Sequence, residues 1–292
     1  MRILLVGHTG QLGGDLLRNN VEHEIIAPDR EALDVVRPDQ VHAALAEHRP
    51  DLVINCAAFH NVPLCEQKPE LAFQMNCVAM RDLAAACRDV STRLMTFSSD
   101  YVFGGDCRRP HAEDDLPMPL QIYGISRLAG EHSVMATAPD HAIVIRTCGL
   151  YGRSGARSKG GNFVDGRVTD ALAGKRIEMA CEQVVTPTST DDLSRAVLEL
   201  IVNPSVVPGI YHLVNSGECS WYEFTCEIVR VIGSGAQVIP VDRGGMTAGM
   251  RRPLYSVLAN NRARALGIVL RPWQDALSAY LQAKYPEIIG GG

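Results

Sequence analysis

Tyr123 and Arg127 place a phenol and a guanidinium four residues apart on a predicted helix. Residues at this spacing share one helix face, so both side chains can point into one site. A tyrosine with a pKa near 10 is a weak acid at neutral pH unless a positive charge stabilises its phenolate. At about 4 Å and an effective dielectric constant of about 20, the gross attraction is about 4 kcal/mol, or roughly three pKa units before desolvation. The pair therefore predicts a catalytic proton donor.

Polar side chains follow the predicted strand Arg93–Phe97, where Ser98, Ser99 and Asp100 come in succession. Ligands of parallel sheets bind beyond the carboxyl ends of the strands, so a serine here is placed to hold a substrate carbonyl group. We expect Ser99 to hold that oxygen while Tyr123 protonates it. Spacing alone also allows a surface Tyr–Arg pair beside a serine-capped strand end.

A glycine-rich segment follows the apolar run Arg2–Val6 and opens a predicted helix over Gln11–Arg18. Its glycines, Gly7, Gly10 and Gly13, have the spacing G-x-x-G-x-x-G. Glycine allows a tight turn and a close backbone approach to a pyrophosphate, which the helix N-terminus attracts. The segment predicts a dinucleotide site, and an ordinary strand–turn–helix without a ligand is the alternative.

Charged residues follow the second predicted strand at Asp29, Arg30 and Asp34. An acidic side chain at this point can bind the ribose 2′-hydroxyl of NADH, whereas an arginine can bind the 2′-phosphate of NADPH. The sequence leaves NADPH or NADH open as the cofactor, with a preference for NADPH because the Arg30 guanidinium suits phosphate. The alternative for each residue is a solvated loop charge.

Alternating apolar strands and helices through residue 150 predict an α/β fold with a Rossmann-type, doubly wound parallel sheet. One continuous helix is expected over Pro69–Val90, with proline at its start. We expect 1–150 to be the dinucleotide-binding domain, with parts of roughly 180–215 returning to it. A smaller, interleaved C-terminal lobe over 151–292 is expected to be mainly substrate-binding.

Composition argues against several other classes of protein. The chain of 292 residues has a net charge of −5 and no basic stripe, so we expect no nucleic-acid partner and no membrane partner. Its nine cysteines form no C-x-x-C pair, which favours a reducing, cytoplasmic location and predicts no metal site. Of 28 basic residues only four are lysine, so arginine predominates throughout.

The chain resembles the dTDP-4-dehydrorhamnose reductase family of extended short-chain dehydrogenases/reductases, nearly from end to end. The motifs that carry the resemblance are GHTGQLG at 7–13, REALDV at 30–35, DLVINCAA at 51–58, PELAFQMN at 69–76, FSSDYVFGG at 97–105, IYGISRLAGE at 122–131, IRTCGLYG at 145–152, PTSTDDLSRA at 187–196 and RRPLYSVL at 251–258. The DYVF string and the YG-x-S-x-x-AGE string together are quite specific.

This resemblance implies that NAD(P)H donates a hydride to the 4-keto carbon of a nucleotide-linked deoxysugar. Tyr123 would protonate the alkoxide and Ser99 would hydrogen-bond the reacting oxygen. The residues then expected to bind the cofactor are Gly7, Gly10, Gln11, Leu12, Gly13, Asp29, Arg30, Asp34, Val35, Cys56, Ala57, Ala58, Asn76, Ser98, Tyr123 and Arg127. The residues expected to bind the sugar nucleotide are Ser99, Asp100, Tyr101, His60, Gly149 and Arg252.

Three departures from the family pattern bear on the substrate and on catalysis. The family has a lysine, which binds the nicotinamide ribose and lowers the tyrosine pKa, where this chain has Arg127. It usually has a tryptophan that packs on the sugar where Gly149 stands, and its Y-T-A-V-D-K-A-E stretch differs at Phe59–Glu66. Arginine keeps the charge but spreads it over a wider plane.

These departures leave three functions open. The first is an active reductase of a nucleotide-linked 4-keto-6-deoxysugar, specifically dTDP-4-dehydrorhamnose reductase. The second is a reductase, or an epimerase-like enzyme, for another nucleotide sugar. The third is a non-catalytic NADP-binding regulatory subunit resembling the methionine adenosyltransferase β subunit. We expect a monomer or homodimer, a solvated Lys159, and Trp221 in the core.

Overall fold

The computed structural model describes residues 1–104, 107–154, 161–247 and 249–289. In these ranges the strands are β1 (Arg2–Val6), β2 (Glu24–Ile26), β3 (Leu52–Asn55), β4 (Arg93–Ser99), β5 (Ala142–Thr147), β6 (Leu150–Tyr151), β7 (Ile177–Ala180), β8 (Val184–Val185), β9 (Thr188–Ser189), β10 (Gly209–His212), β11 (Cys219–Ser220), β12 (Val238–Val241), β13 (Met246–Thr247) and β14 (Met250–Arg251). The helices are α1 (Gln11–Asn19), α2 (Pro38–His48), α3 (Val62–Gln67), α4 (Pro69–Phe73), α5 (Ala79–Asp89), α6 (Ile122–Thr137), α7 (Phe163–Leu172), α8 (Thr190–Val202), α9 (Trp221–Val231), α10 (Asn261–Ala265), α11 (Trp273–Lys284) and α12 (Pro286–Ile289). Lys159 lies outside the described residues.

The main sheet is parallel and has the strand order β10-β5-β4-β3-β1-β2. Leu4 pairs with Val53, and Met95 pairs with Ile143. All four side chains are buried, as expected for apolar strands that helices cover on both faces. The predicted α/β fold with a parallel sheet is therefore confirmed. The strand order reverses between β1 and β3, and ligands of such sheets bind at the carboxyl edge beside this reversal.

Two apolar clusters hold the helices against the two faces of the sheet. Leu16 of α1 and Val197 of α8 lie in one cluster. Leu83 of α5 and Val134 of α6 lie in the other. Because α6 is packed on the sheet over Val134, the beginning of this helix is held near the carboxyl edge of the strands.

The prediction of one regular helix over Pro69–Val90 is wrong in the middle of that segment. Helices α4 and α5 are joined by a π-helical turn over Gln74–Val78. Such turns add one residue to a helix and occur frequently at functional sites. A Cβ atom built on Gly130 of α6 would lie 2.0 Å from the carbonyl oxygen of Asn76. Only glycine permits α6 to approach the π-helical turn this closely.

The chain beyond β6 builds a third apolar cluster and also returns to the sheet. Val168 of α7, Phe224 of α9 and Leu277 of α11 pack together around Tyr151. In contrast, β10 pairs with β5, and α8 covers the sheet beside α1. In the described ranges, no helix is both long and apolar enough to cross a membrane.

Candidate active site

The glycine-rich turn has a geometry that depends on glycine. Gly7 follows β1 with a φ of +80°, and the Gly10 N–H donates to the Gly7 carbonyl oxygen over 3.1 Å. A Cβ atom on Gly13 would lie 2.4 Å from that carbonyl oxygen, so no larger residue fits without a backbone shift. The first amides of α1 follow directly and lack partners within the helix, an arrangement that is suited to binding an anion.

Gln11 and Leu12 play different parts in this turn. Leu12 is buried in the apolar cluster below α1, so its side chain supports the turn from beneath. Gln11 donates from Nε2 to the Leu150 carbonyl oxygen over 3.4 Å. Its Oε1 atom is buried and has no hydrogen-bond partner in the described part of the chain. The Gln11 side chain is therefore able to donate and accept hydrogen bonds beside the glycine-rich turn.

The charged residues after β2 lie near the turn and pair with one another. The Arg30 Nε donates to Asp34 over 3.0 Å, and the Arg30 side chain is 76% exposed. His8 Nε2 lies 3.6 Å from an Asp29 carboxylate oxygen. Val35 is buried among apolar residues, so its side chain belongs to the core. The exposed Arg30 guanidinium has the freedom to turn toward a phosphate.

The segment after β3 faces the glycine-rich turn across the edge of the sheet. A Cβ atom on Gly7 would lie 3.0 Å from the amide nitrogen of Ala57. Burial raises the pKa of the neighbouring Cys56 thiol, which therefore stays protonated and is not a nucleophile. His60 places Nδ1 3.3 Å from the Ala58 carbonyl oxygen. Cys56, Ala57 and Ala58 thus form one wall beside the turn.

Asn76 joins this wall to α6. Its Oδ1 accepts from the Phe59 N–H over 2.9 Å and from Arg127 Nη1 over 3.4 Å. Its Nδ2 donates to the Phe59 carbonyl oxygen and to Ser126 Oγ, over 2.9 and 3.0 Å. The side chain is 1% exposed and lies on the π-helical turn. Asn76 therefore holds the wall and the helix that carries Arg127 in one arrangement.

Tyr123, Ser99 and Arg127 come together at the carboxyl edge of the sheet. Ser99 is the last residue of β4, which is two residues longer than predicted, and its hydroxyl lies near enough to the Tyr123 phenol to affect the phenol pKa. Arg127 lies one turn further along α6 and is 6% exposed. Its Nε atom, like Ser98 Oγ, is buried without a hydrogen-bond partner among the residues described. Buried polar groups are normally satisfied, so these two atoms are available to hydrogen-bond a ligand.

Burial controls the acidity of Tyr123. It raises the pKa of this phenol, whereas the Arg127 charge and the neighbouring Ser99 hydroxyl lower it. The net shift in the Tyr123 pKa is upward. Arg127 lowers this pKa as expected, but burial raises it by more. A phenol with a raised pKa keeps its proton at neutral pH, and the Arg127 charge opposes the rise that burial causes.

Asp100 does not face the cleft as the sugar-placing role implied. Its carboxyl group is 3% exposed, and Oδ1 accepts from Ser99 Oγ over 2.8 Å. Oδ2 accepts from Ser256 Oγ over 2.6 Å. Burial raises the pKa of Asp100, and the hydrogen bonds from Ser256, Cys148 and Ser99 lower it. The sequence argument missed Ser256, whose only signal was its place in the RRPLYSVL motif.

Tyr101 and Arg252 form a pair on the lobe side of the edge. Arg252 Nη1 donates to the Tyr101 hydroxyl over 2.6 Å, and the guanidinium carbon lies 5.5 Å from the centre of the tyrosine ring. Burial raises the pKa of Tyr101 to about 12, against the Arg252 charge. The two rings of Tyr101 and Tyr123 meet edge to face at 5.9 Å. Arg252 thus lies close to the proposed proton donor.

Gly149 lies against Trp221, which the sequence argument placed in the core. Gly149 has a φ of +55°, and a Cβ atom on it would lie 3.3 Å from Cη2 of the Trp221 indole. The indole is partly exposed and packs on Phe163 at a ring distance of 4.6 Å. A capping box between Ser220 and Glu223 fixes the start of α9 and therefore the indole. An indole from α9 thus borders the carboxyl edge at Gly149.

A buried ion pair anchors α6 to the sheet below the site. Arg146 Nη2 lies 2.7 Å from Glu131 Oε2, and both side chains are at most 3% exposed. Glu131 is one turn beyond Arg127 on α6. No group of three or more potential metal ligands is found among the residues that the structure describes.

The whole chain matches one family model and full-length relatives. Residues 1–285 match the model described as RmlD substrate binding domain. A probable dTDP-4,6-dihydroxy-2-methyloxan-3-one 4-ketoreductase of Streptomyces antibioticus is 37% identical, over 99% of this chain and 96% of the relative. A dTDP-4-dehydrorhamnose reductase of Streptomyces griseus is 36% identical, over 95% and 92%. The crystal structure of a Bacillus anthracis dTDP-4-dehydrorhamnose reductase in complex with NADP is 32% identical over 97% and 99%, with a TM-score of 0.90.

Proposed function

The chain belongs to the RmlD substrate binding domain family, and we propose that it is an NADPH-dependent reductase of a dTDP-linked 4-keto-6-deoxysugar. The observation that carries this proposal is the meeting of Tyr123, Ser99 and Arg127 beside the glycine-rich turn. A proton donor for a carbonyl oxygen and a turn for a dinucleotide diphosphate are the two parts that a carbonyl reductase needs.

The residues of the turn and wall fit a dinucleotide. Gly7, Gly10 and Gly13 allow the turn to pack closely before α1, whose first amides can bind a diphosphate. The unpaired Arg127 Nε and Ser98 Oγ offer hydrogen bonds to ribose and nicotinamide groups. NADPH supplies the hydride when it is bound. We assign the 2′-phosphate to the exposed Arg30, and the Bacillus anthracis relative in complex with NADP supports this choice.

Tyr123 is the proposed source of the proton. The buried phenol stays protonated and donates its proton to the oxygen of the reduced carbon. Ser99 holds the same oxygen by a hydrogen bond, and Arg127 limits the rise in the phenol pKa so that the phenolate can form. Arg127 thereby takes the electrostatic part of the lysine that the family has at this position.

The sugar nucleotide is assigned to the lobe side of the edge. Tyr101 and Arg252 lie there, and Arg252 supplies positive charge for a diphosphate. We propose that His60 and the Gly149 backbone also contact the sugar nucleotide. We propose that the lobe over 151–292 provides the remaining contacts and that 1–150 binds the cofactor. The nine cysteines include no C-x-x-C pair, and this pattern supports a reducing, cytoplasmic location.

A different dTDP sugar is the second candidate. The Trp221 indole stands against Gly149, and the Streptomyces relatives are named for different keto sugars at nearly equal identity. We name dTDP-4-dehydrorhamnose as the first substrate to test because several of the curated relatives are named as its reductase.

The test is NADPH oxidation by the purified protein with dTDP-4-keto-L-rhamnose and, in parallel, dTDP-4-keto-6-deoxy-D-glucose. Wild-type turnover that Tyr123→Phe lacks, with NADPH affinity unchanged, supports the reductase and its proton donor. Turnover of only the second sugar selects the second candidate. NADPH binding without turnover of either sugar, together with recovery of a stable protein partner, supports the regulatory alternative instead.

A further inference from the structure

Asp100 is a buried carboxyl group beside the proposed proton donor, and its partners are all uncharged. Its oxygens accept hydrogen bonds from the hydroxyl groups of Ser99 and Ser256. No arginine or lysine forms an ion pair with Asp100 in the described part of the chain. A carboxylate without a cation is costly to bury, so such a group is generally protonated or has a function.

The hydrogen-bonding capacity of Ser99 makes the protonation of Asp100 important. A serine hydroxyl has one hydrogen and two acceptor positions. The Tyr101 N–H occupies one acceptor position over 3.2 Å. An ionised Asp100 would take the only hydrogen of Ser99 and leave none for a substrate oxygen. A neutral Asp100 can instead donate to the second acceptor position, which frees the Ser99 hydrogen.

We propose that Asp100 acts as a neutral carboxylic acid that donates a hydrogen bond to Ser99 and so keeps Ser99 a donor to the reacting oxygen. Asp100 is then a positioning residue, because it acts on the substrate only through Ser99. This role rests on the proposed reductase function, since it needs a carbonyl oxygen at Ser99. Asp100 is only 3% exposed, and this burial also favours the neutral form of its carboxyl group.

The ionisation of Asp100 can be distinguished from the ionisation of the groups around it. Burial raises the pKa of Cys148 well above its usual value, that of Tyr101 to about 12, and that of Tyr123. The charged groups nearest to these tyrosines are the guanidinium groups of Arg127 and Arg252. These stay charged throughout the accessible pH range. An alkaline loss of activity that is present in wild type and absent in Asp100→Asn therefore reports on Asp100.

The experiment compares kcat/KM for the keto sugar against pH in wild type, Asp100→Asn and Asp100→Ala. The asparagine amide can donate to Ser99 as the neutral acid does, but it cannot ionise. We expect wild-type activity to fall as pH rises through the ionisation of Asp100. Asp100→Asn should stay within about tenfold of wild type at lower pH and lack this alkaline fall. Asp100→Ala should be at least about tenfold less active than Asp100→Asn, because it provides no donor.

Two results would overturn the proposal: an alkaline fall in Asp100→Asn equal to that of wild type, or an Asp100→Asn variant as inactive as Asp100→Ala. Ser256→Ala is the second variant and keeps the test usable if the first ones do not fold. The Ser256 hydrogen bond lowers the pKa of Asp100, so its removal should move the alkaline fall to higher pH. An unmoved fall, or a fall at lower pH, contradicts the role of Asp100.

A spectroscopic measurement separates this proposal from the proposed function. If the wild type turns over no keto sugar, the reductase assignment fails while the state of Asp100 is still measurable. Infrared difference spectra of wild type minus Asp100→Asn at neutral pH should show the carbonyl stretch of a protonated carboxyl group. Its absence at neutral pH overturns the neutral-acid assignment whether or not the protein is a reductase.

Discussion

The ion pair between Glu131 and Arg146 gives the sharpest test of how α6 is held. Arg146 Nε and Nη2 donate to the Glu131 carboxylate over 3.0 and 2.7 Å. Arg146 also lies 3.4 Å from His212 Nε2 and 5.0 Å from the centre of the Phe103 ring. Glu131→Leu would leave the guanidinium buried without its counter-ion. We expect a loss of about 3–5 kcal/mol in the free energy of unfolding.

The size of this loss follows from burial rather than from the short distances. Both side chains are at most 3% exposed, so water cannot solvate the remaining charge. Replacing both partners by apolar residues removes both charges, and Glu131→Leu with Arg146→Met should lie within about 2 kcal/mol of wild type. The matched control is Arg195→Met, which breaks an exposed pair with Asp191 at 3.2 Å. That variant should lose less than about 1 kcal/mol.

Urea denaturation of the four proteins measures these differences from the transition midpoints and slopes. The reasoning is refuted if Glu131→Leu loses no more than Arg195→Met. It is refuted equally if the double variant is less stable than Glu131→Leu, because uncompensated charge would then not be the cause. Activity of the folded Glu131→Leu variant should fall with stability, since α6 carries Tyr123 and Arg127.

Three further predictions test other parts of the structure. Burial and the Arg146 charge lower the pKa of His212 to about 3, so its contribution to stability is complete above about pH 6.5 and is lost toward pH 3. In acid denaturation, the stability of His212→Gln should therefore depend less steeply on pH than that of wild type. An unchanged dependence on pH would show that His212 is not responsible. Gly13→Ala should weaken NADPH binding at least about tenfold, whereas Gly166→Ala, at an open position inside α7, should leave binding unchanged and add up to about 1 kcal/mol of stability by denaturation. Arg127→Lys should preserve or raise kcat in steady-state assays, and a large loss would show that the site depends on the guanidinium.

Much of the fold was predictable because its signals are local. The apolar runs at Arg2–Val6 and Arg93–Phe97 predicted buried strands, and the glycine spacing after the first run predicted a turn into a helix. The helix predicted over Gln11–Arg18 is one residue shorter than α1. Each of these features depends on a local signal, either the periodicity of apolar side chains or a proline or glycine within a few residues.

The remaining features depend on contacts between distant segments. The π-helical turn at Gln74–Val78 is stabilised where Gly130 approaches it, and nothing in residues 69–90 alone distinguishes it from a regular helix. The burial of Asp100 requires Ser256, which is 156 residues away. The upward shift in the pKa of Tyr123 results from burial, which residue spacing does not reveal. The positions of polar groups in the site therefore required the tertiary structure.

Arg127 shows how a changed catalytic side chain can be accommodated. Its Nη1 donates to Asn76 over 3.4 Å, and Asn76 is fixed by three further hydrogen bonds on the π-helical turn. The guanidinium thus has a defined position inside the protein, and its charge continues to act on Tyr123. Because Nε remains without a partner in the described residues, the planar group has a donor left for the cofactor. The general abundance of arginine in this chain does not account for a guanidinium that is buried and held in this way.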